Sequence, residues 1–209
     1  WIIFCSDDNS STSLRPKLTI DYLIPEHRAE YLEQSAPSTE LKIGQQVQVS
    51  VRFRNDGGDT WTVVDGYKLG SQAPQDNANW GMSRIDLPND VSYESDVEFS
   101  FQVTAPTQPG IYTFQWQMLH EGVMWFGDMS DPVDVTVSKL SIGDPCSNPS
   151  ECDSGECVDG VCCDAHCAGT CLHCNLPGRA GLCSHIPNGE DPDEECAGEA
   201  PCGSYCDGG

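Results

Sequence analysis

The uneven distribution of cysteine is the feature that most constrains how this chain folds. Cys5 stands alone near the start, and the other twelve of the thirteen cysteines lie between Cys146 and Cys206. Cysteine this dense in a short segment is typical of a disulfide scaffold made in an oxidising compartment, so we expect an extracellular or cell-surface protein. The cysteines predicted to form disulfides are Cys146, Cys152, Cys157, Cys162, Cys163, Cys167, Cys171, Cys174, Cys183, Cys196, Cys202 and Cys206.

The last third of the chain contains few large apolar side chains. Its apolar area is too small to offset the entropy lost on folding, so covalent cross-links must stabilise it. We predict three parts: an extended β-strand segment over residues 1–24, an antiparallel β-sandwich over 25–140, and a small disulfide-rich domain over 141–209. The expected fold class is all-β.

Charge excludes two classes of partner. The 209 residues include 10 Lys and Arg against 33 Asp and Glu, which gives a formal net charge of −23. Nucleic acid and anionic lipid would both repel such a chain. No apolar run is long enough to span a bilayer, so membrane insertion is not expected either. The chain lacks an initiator Met, and we expect a processed protein or a piece of a longer one.

Four segments alternate apolar and polar residues with the period of a half-buried strand. They are Val47 to Phe53, Val97 to Val103, Tyr112 to Met118 and Val133 to Val137. Turn signals separate them, as in an antiparallel sandwich with a core that needs no disulfides. Glu26 to Gln34 is a short polar stretch where we expect a turn or two of helix.

Four tryptophans and their surroundings resemble a known family. Trp61, Trp80, Trp116 and Trp125 occur with Gly110-Ile111-Tyr112-Thr113-Phe114-Gln115-Trp116 and related motifs in the order of the four-tryptophan Ig-like domain. That family is known from the central region of selective autophagy receptors and from bacterial secreted proteins. The resemblance covers about residues 40–138 and implies an Ig-like sandwich. It implies no activity, because fold does not fix function.

The tryptophans have two interpretations. One is core packing, and the other is an exposed aromatic platform for a glycan or peptide. Trp125 and Phe126 are the best platform candidates, because they begin a strand beside a loop.

The cysteine spacing in residues 146–183 is similar to cysteine-rich modules of myxobacterial secreted and surface proteins. The resemblance implies a disulfide module and no particular ligand. The alternative is zinc, because Cys163, His166, Cys167, Cys171, His173 and Cys174 offer suitable spacings. Twelve cysteines can close as six bridges, which favours disulfides.

The first residues resemble the final strands of a bacterial surface β-sandwich module named for its Asp-Asn-Arg-Leu-Arg-Glu motif. Leu18, Ile20 and Tyr22 alternate with polar residues and predict a strand. This strand either joins the sandwich of its own chain or adds to a neighbouring copy. Because thirteen is odd, Cys5 is the candidate for an intermolecular bond, and head-to-tail strand exchange would produce a fibre.

Motifs for catalysis are absent from the sequence, so we do not expect an enzyme. We expect no cofactor except calcium, for which the candidate ligands are Asp7, Asp8, Asp191 and Asp193. Neither acidic cluster matches an EF-hand loop, and solvated acidic loops are the alternative.

These observations predict a secreted, non-enzymatic structural or adhesive surface protein. It is expected to self-associate, by strand exchange into an extracellular fibre. The alternative function is a carbohydrate-binding accessory module of a secreted bacterial protein, with Trp125 in contact with a glycan.

Overall fold

The computed structural model describes residues 25–169 and 171–187. Within these ranges the chain is all-β, with one 3-10 turn at Pro149–Glu151 and no α-helix, which confirms the predicted fold class. No helix in this part of the chain is long and apolar enough to cross a membrane. The sandwich strands are β1 (Ala29–Ser35), β2 (Glu40–Lys42), β3 (Gln46–Asn55), β4 (Tyr67–Ser71), β5 (Arg84–Asp86), β6 (Asp96–Thr104), β7 (Gly110–Phe114), β8 (Trp116–His120), β9 (Met124–Met129) and β10 (Val133–Ser138).

One layer of the sandwich is the antiparallel sheet β1-β3-β6. Its central strand buries Val49, Val51 and Phe53, while Ser50 and Arg52 between them are half-buried and the flanking Gln48 and Arg54 are exposed. This alternation follows from the pleat of a strand, in which successive side chains point to opposite faces. The period-two pattern of the sequence therefore placed the apolar face of this layer correctly.

The second layer contains the sheets β5-β4-β8-β9 and β2-β10-β7. The chain passes from β7 into β8 across Gln115 alone, so the strand predicted over Tyr112 to Met118 is two strands. At this break Ser130 supplies hydrogen-bond partners for the Trp116 backbone. Its hydroxyl accepts from the Trp116 amide at 3.0 Å, and its amide donates to the Trp116 carbonyl at 2.8 Å. All of these pairs are antiparallel except β10 with β2.

The two layers share one apolar core. Trp61, Trp80 and Trp116 are at most 1% exposed, which supports core packing for these three of the four motif tryptophans. Trp116 meets Phe101 edge to face with ring centroids 5.0 Å apart. Burial of this much aromatic and aliphatic area stabilises the sandwich without covalent help.

The expectation of helix over Glu26 to Gln34 was wrong, because most of this stretch is strand β1. Ala29 pairs with Asn55 and Ser35 with Ser50 along the edge of β3. A bulge between Tyr31 and Glu33 shifts the register, which blurs the alternation in the sequence. Pairing with a neighbouring strand outweighs the weak local preference of such a short polar segment.

A small cysteine-rich region follows β10. Its strands are the two hairpins β11 (Cys157–Val158) with β12 (Val161–Cys162) and β13 (Leu172–His173) with β14 (Ser184–His185). Each hairpin is associated with two disulfides whose spans overlap along the chain, so that the two pairs cross. The pairs are Cys146–Cys157, Cys152–Cys162, Cys163–Cys174 and Cys167–Cys183.

The cysteine-rich region and one group of loops lie at opposite ends of the sandwich. Strand β10 ends beside β2, and Leu140 bridges to Cys152 at that end. At the other end β1 begins opposite the last residue of β3, and β4 begins opposite the last residue of β8. We call this second end the loop end, and it consists of residues 25–28, 56–66, 87–95 and 121–123.

Candidate functional site

The loop end is held together by hydrogen bonds between its segments. The Val63 amide donates to the Asp90 carboxylate at 2.9 Å, and the Glu121 amide donates to the Gly66 carbonyl at 3.0 Å. The Gly58 amide donates to the Pro25 carbonyl at 3.0 Å. Four segments that are far apart in sequence thus form one connected surface.

Local sequence explains why the 56–66 loop takes this shape. The Asn55 side chain is fully buried, accepts from the Gly57 amide at 3.1 Å and donates to the carbonyls of Asp59 and Val91 at 2.7 and 2.9 Å. A Cβ on Gly57 would lie 2.3 Å from the Glu26 carbonyl oxygen. Only glycine lets residues 25–28 pack against this loop.

Apolar side chains are exposed at the tips of two adjacent loops of this end. Val64 is 91% exposed and Val63 is 48% exposed, next to the turn that carries Val123 at 60% and Met124 at 46%. Single exposed apolar residues need no explanation, but several on neighbouring loops mark an interaction surface.

Carboxylates surround these apolar tips. Asp65, Asp90 and Glu121 are exposed at the loop end, together with Glu26 and the partly exposed Asp59. Burial and then the charges of Asp59, Asp65 and Glu26 raise the pKa of Tyr67, which shows how closely these acids approach the sheet. The surface is therefore apolar at its loop tips and anionic around them.

Four rings pack beneath this surface. His27 stacks on His120 with ring centroids 5.3 Å apart, and His120 stacks on Tyr67 at 4.3 Å. The edge of Phe126 meets both His27 and Tyr67. His27 Nε2 lies 3.0 Å from His120 Nδ1 and 3.3 Å from the Tyr67 hydroxyl, so a hydrogen-bonded cluster of polar rings lies directly under the acidic rim.

The residues that form this surface lie within a part of the chain that matches a known protein family. The family described as "Ig-like domain from next to BRCA1 gene" matches residues 22–137, more than half of the chain. The chain belongs to this family. The loop end, with its apolar tips and ring cluster, is thus one end of the Ig-like domain. Ig-like domains of this kind are typically binding or structural domains.

Solved structures also resemble this chain. The CARDB domain of a Pyrococcus furiosus protein, solved by NMR, matches 55% of this chain and 95% of its own chain at 16% identity and a TM-score of 0.36. We draw nothing from a likeness at this level. No curated protein matches the chain.

The expectation of a platform built from Trp125 and Phe126 needs correction at Phe126. This side chain is 4% exposed and packs edge to face on Trp61 in the core of the Ig-like domain, so it presents no ring to a ligand. The two residues are neighbours on a strand and therefore point to opposite faces of the sheet.

Trp125 lies on the outer face of the same sheet and is partly exposed. Its ring is seated over Gly70, where a Cβ would come within 2.5 Å of the indole. The Arg84 guanidinium lies over the ring, 4.9 Å from its centroid. Arg84 is itself held by Asp76 and Glu121, so it covers the ring face that a sugar would need.

All nine cysteines in the described residues are disulfide-bonded. Eight of them form the four crossed pairs, and Cys171 is also in a disulfide. Disulfide sulfur cannot serve as the thiolate ligand that zinc requires. This overturns the zinc alternative for the cysteine-rich region. Two groups of three cysteine sulfurs do lie close enough together to suggest metal ligands, but they are close only because neighbouring disulfides pack side by side.

Several predicted site residues lie outside the described residues, and their predictions stand as they were. These are the strand residues Leu18, Ile20 and Tyr22, the single Cys5, the calcium candidates Asp7, Asp8, Asp191 and Asp193, and the cysteines Cys196, Cys202 and Cys206.

Sequence reasoning missed the ring cluster. His27 and His120 are 93 residues apart, and neither belongs to a local motif. The exposed pair Val63 and Val64 could have been found from the sequence. These two adjacent β-branched residues lie between polar residues and outside every alternating segment, so no predicted strand accounts for them.

Proposed function

We propose that this protein is a secreted, non-enzymatic adhesive surface protein whose Ig-like domain binds a cationic protein partner through the loop end. In this proposal the cysteine-rich region is a covalently stabilised attachment at the opposite end of the sandwich. In this proposal the loop end, at the opposite end of the sandwich from the cysteine-rich region, is the surface that the partner contacts.

The observation that carries this proposal is the exposure of Val63, Val64, Val123 and Met124 on adjacent loops. Interfaces of soluble proteins have an apolar centre and a polar rim, and the loop end has this arrangement. The loops are fixed by backbone and side-chain hydrogen bonds, so little conformational entropy would be lost on binding.

Charge supports a cationic partner. The rim contains Glu26, Asp59, Asp65, Asp90 and Glu121, and the whole chain carries −23. The nearest cations are already paired, since Lys68 binds Asp86 at 2.8 Å and Arg28 binds Asp56 at 2.8 Å. Complementary charge raises association rates and excludes acidic competitors.

The disulfides support secretion. Nine cysteines in bridges within about forty residues are typical of proteins folded in an oxidising compartment. Reducing cytosol would leave most of them as thiols, and the cysteine-rich region would lose its stabilisation.

The other functions receive less support. A glycan platform would have to work without Phe126 and with Arg84 over Trp125. Fibre formation by strand exchange depends on Leu18, Ile20, Tyr22 and Cys5, which lie outside the described residues, and self-association stays a prediction.

Selection from a displayed random peptide library tests the proposal. The oxidised full chain is the bait, and we expect enriched peptides that combine Lys or Arg with apolar residues. The double variant Val64→Ser with Val123→Ser should weaken binding of these peptides at least about tenfold, because apolar contacts at an interface centre dominate affinity.

Ile111→Ser is the matched control. Ile111 is 72% exposed, has the same chemistry and pairs with Thr136 toward the cysteine-rich end. It should leave binding unchanged. Enrichment of acidic peptides, or of peptides that bind the double variant as well as the original chain, would overturn the proposal.

A further inference from the structure

The rim of the loop end contains a group of side chains whose chemistry differs from that of its other carboxylates. Glu26, His27 and Asp59 each offer one ligand atom, and the three atoms lie within 4.8 Å of one another. We propose that these three residues form a binding site for a divalent transition-metal ion of the zinc type, with a further coordination position open to solvent.

The backbone brings the three residues together. The Asp59 amide donates to the Glu26 carbonyl at 3.3 Å, and the Gly58 amide donates to the Pro25 carbonyl at 3.0 Å. This places residues 25–28 alongside the 56–66 loop. The His27 Nδ1 atom lies 4.0 Å from Asp59 Oδ2, too far for a hydrogen bond between them.

The orientation of His27 is an observation independent of the carboxylates. Its Nε2 atom is engaged by His120 Nδ1 at 3.0 Å and by the Tyr67 hydroxyl at 3.3 Å. When Nε2 carries the proton and donates it to His120, the lone pair of Nδ1 faces Asp59. Histidines that bind metals donate their other ring N–H in this way, which fixes both the tautomer and the ring.

The stacked rings hold that arrangement. His120 is packed on Tyr67 at 4.3 Å, and the His27 side chain is 17% exposed, so the imidazole has little freedom to rotate. Glu26 is exposed and Asp59 is partly exposed. Both carboxylates can therefore move by about 1 Å to reach the ligand separation of a tetrahedral site, about 3.4 Å for metal–ligand bonds near 2.1 Å.

The donor set decides the class of metal. One imidazole nitrogen and two carboxylates suit zinc and its neighbours, which accept mixed nitrogen and oxygen ligands. Calcium requires six to eight oxygens and magnesium prefers oxygen alone, and the imidazole suits neither. A divalent ion would balance the two negative charges of Glu26 and Asp59.

Calorimetric titration of ZnCl₂ into the oxidised full chain, with any remaining free thiol alkylated, tests the site, because the disulfides prevent the nine cysteines of the described residues from competing. We expect Asp59→Asn and Glu26→Gln to remove one zinc-binding event or to weaken it at least about tenfold. Both residues lie at the surface, so these variants should fold, and His27→Ala should give the same loss where it folds.

His120→Phe tests the orienting contact. It keeps a ring on Tyr67 but removes the acceptor for His27, and we expect affinity to fall about 10- to 100-fold. The matched control is His166→Ala, which removes a surface histidine 3.2 Å from the Glu156 carboxylate at the other end of the molecule. It should leave zinc binding unchanged.

Cobalt gives a direct readout of the ligands. Co²⁺ in the oxidised chain should show visible d–d absorption without the sulfur-to-metal charge transfer of a thiolate site, and this absorption should disappear in Asp59→Asn. The proposal is overturned if zinc produces no binding heat, or if Asp59→Asn and Glu26→Gln bind it as the original chain does.

Discussion

The Ig-like sandwich and the cysteine-rich region solve the same folding problem with different interactions. In the sandwich, Trp61, Trp80 and Trp116 are buried with aliphatic neighbours in one core, and the described part of it contains no cysteine. In the cysteine-rich region the larger of two buried clusters is Val161 with three half-cystines, and the other is Ile186 with Cys171 against it. Its hairpins are two residues per strand, too short to be stable alone.

The difference shows how core size sets the need for covalent bonds. A sandwich strand such as β3 contributes an inward face over ten residues, and apolar burial then exceeds the entropy of ordering. A two-residue strand contributes almost no such face. Two crossed disulfides instead restrict the unfolded chain in each half of the region.

Reduction of the disulfides should affect the two regions differently, and this is the largest effect that we expect. We expect reduction and alkylation of all cysteines to unfold the cysteine-rich region and leave the sandwich folded, because each native bridge contributes about 2–5 kcal/mol there. Arg179 is the single Lys or Arg in residues 141–209, so tryptic cleavage after it reports on this region alone. Cleavage after Arg179 should be at least about 30-fold faster in the reduced chain than in the oxidised chain. This factor corresponds to about 2 kcal/mol, the lower end of the range for one bridge.

The control for this experiment is the chain alkylated without reduction. Sites within the sandwich strands, such as Arg54 and Lys68, measure the other region in the same digest. If they are cut as readily as Arg179 after reduction, the sandwich depends on the disulfides and the contrast between the two regions is wrong.

A single glycine tests how the sandwich closes without a covalent bond. Gly127 has a φ of +72°, and a Cβ there would lie 2.4 Å from the Ala29 Cβ, where β1 approaches β9. Gly127→Ala should lower the free energy of unfolding by about 2 kcal/mol more than the φ strain alone, as expected for overpacking. Urea denaturation followed by tryptophan fluorescence measures this change.

Gly122→Ala is the matched control, because Gly122 also has a φ of +72° but no atom within 4 Å of its Cβ position. It should show only the cost of the left-handed backbone, about 1–2 kcal/mol. Equal midpoints for the two variants would mean that the β1–β9 contact does not contribute to the closure of the sandwich.

The sequence predicted those parts of the fold that local patterns encode. Val49, Val51 and Phe53 alternate strictly because β3 lies between two strands and faces the core on one side. Strand β1 escaped prediction because its bulge breaks the period and its pairing with β3 is a long-range property. Cysteine density likewise predicted disulfides, whereas their pairing required the structure.

The candidate site was harder to predict from the sequence, because it too depends on long-range contacts. His27, Asp59 and His120 come together only through the register of β1, β4 and β8. Trp125 and Phe126 show the opposite error, since two adjacent aromatic residues suggested one surface but lie on opposite faces of a strand. Spacing along the chain predicts faces within an element, and it does not predict contacts between elements.

Acid sensitivity gives the smallest expected difference between the regions. On the outer face of the sandwich, Asp96 accepts from Arg54 Nε and from the Arg52 guanidinium, both at 2.8 Å. The Arg54 hydrogen bond, followed by its charge and the contacts of Arg52, holds the pKa of Asp96 below its ordinary value of 3.8. A carboxyl with a lowered pKa in the folded state stabilises the fold above the unfolded value, and this contribution is lost as pH falls below 3.8 through the folded pKa.

Asp96→Asn should therefore be less stable than the original chain near neutral pH, and the difference should shrink as pH falls below 3.8. The effect is small because these side chains are partly exposed to water, and added salt should reduce it further. Urea midpoints of both proteins across this range measure it, and a difference that stays constant into acid would contradict the ion-pair origin. Near neutral pH, where trypsin is active, the Arg179 cleavage rate of the oxidised chain should not respond to Asp96→Asn, because disulfides and not this ion pair hold the cysteine-rich region.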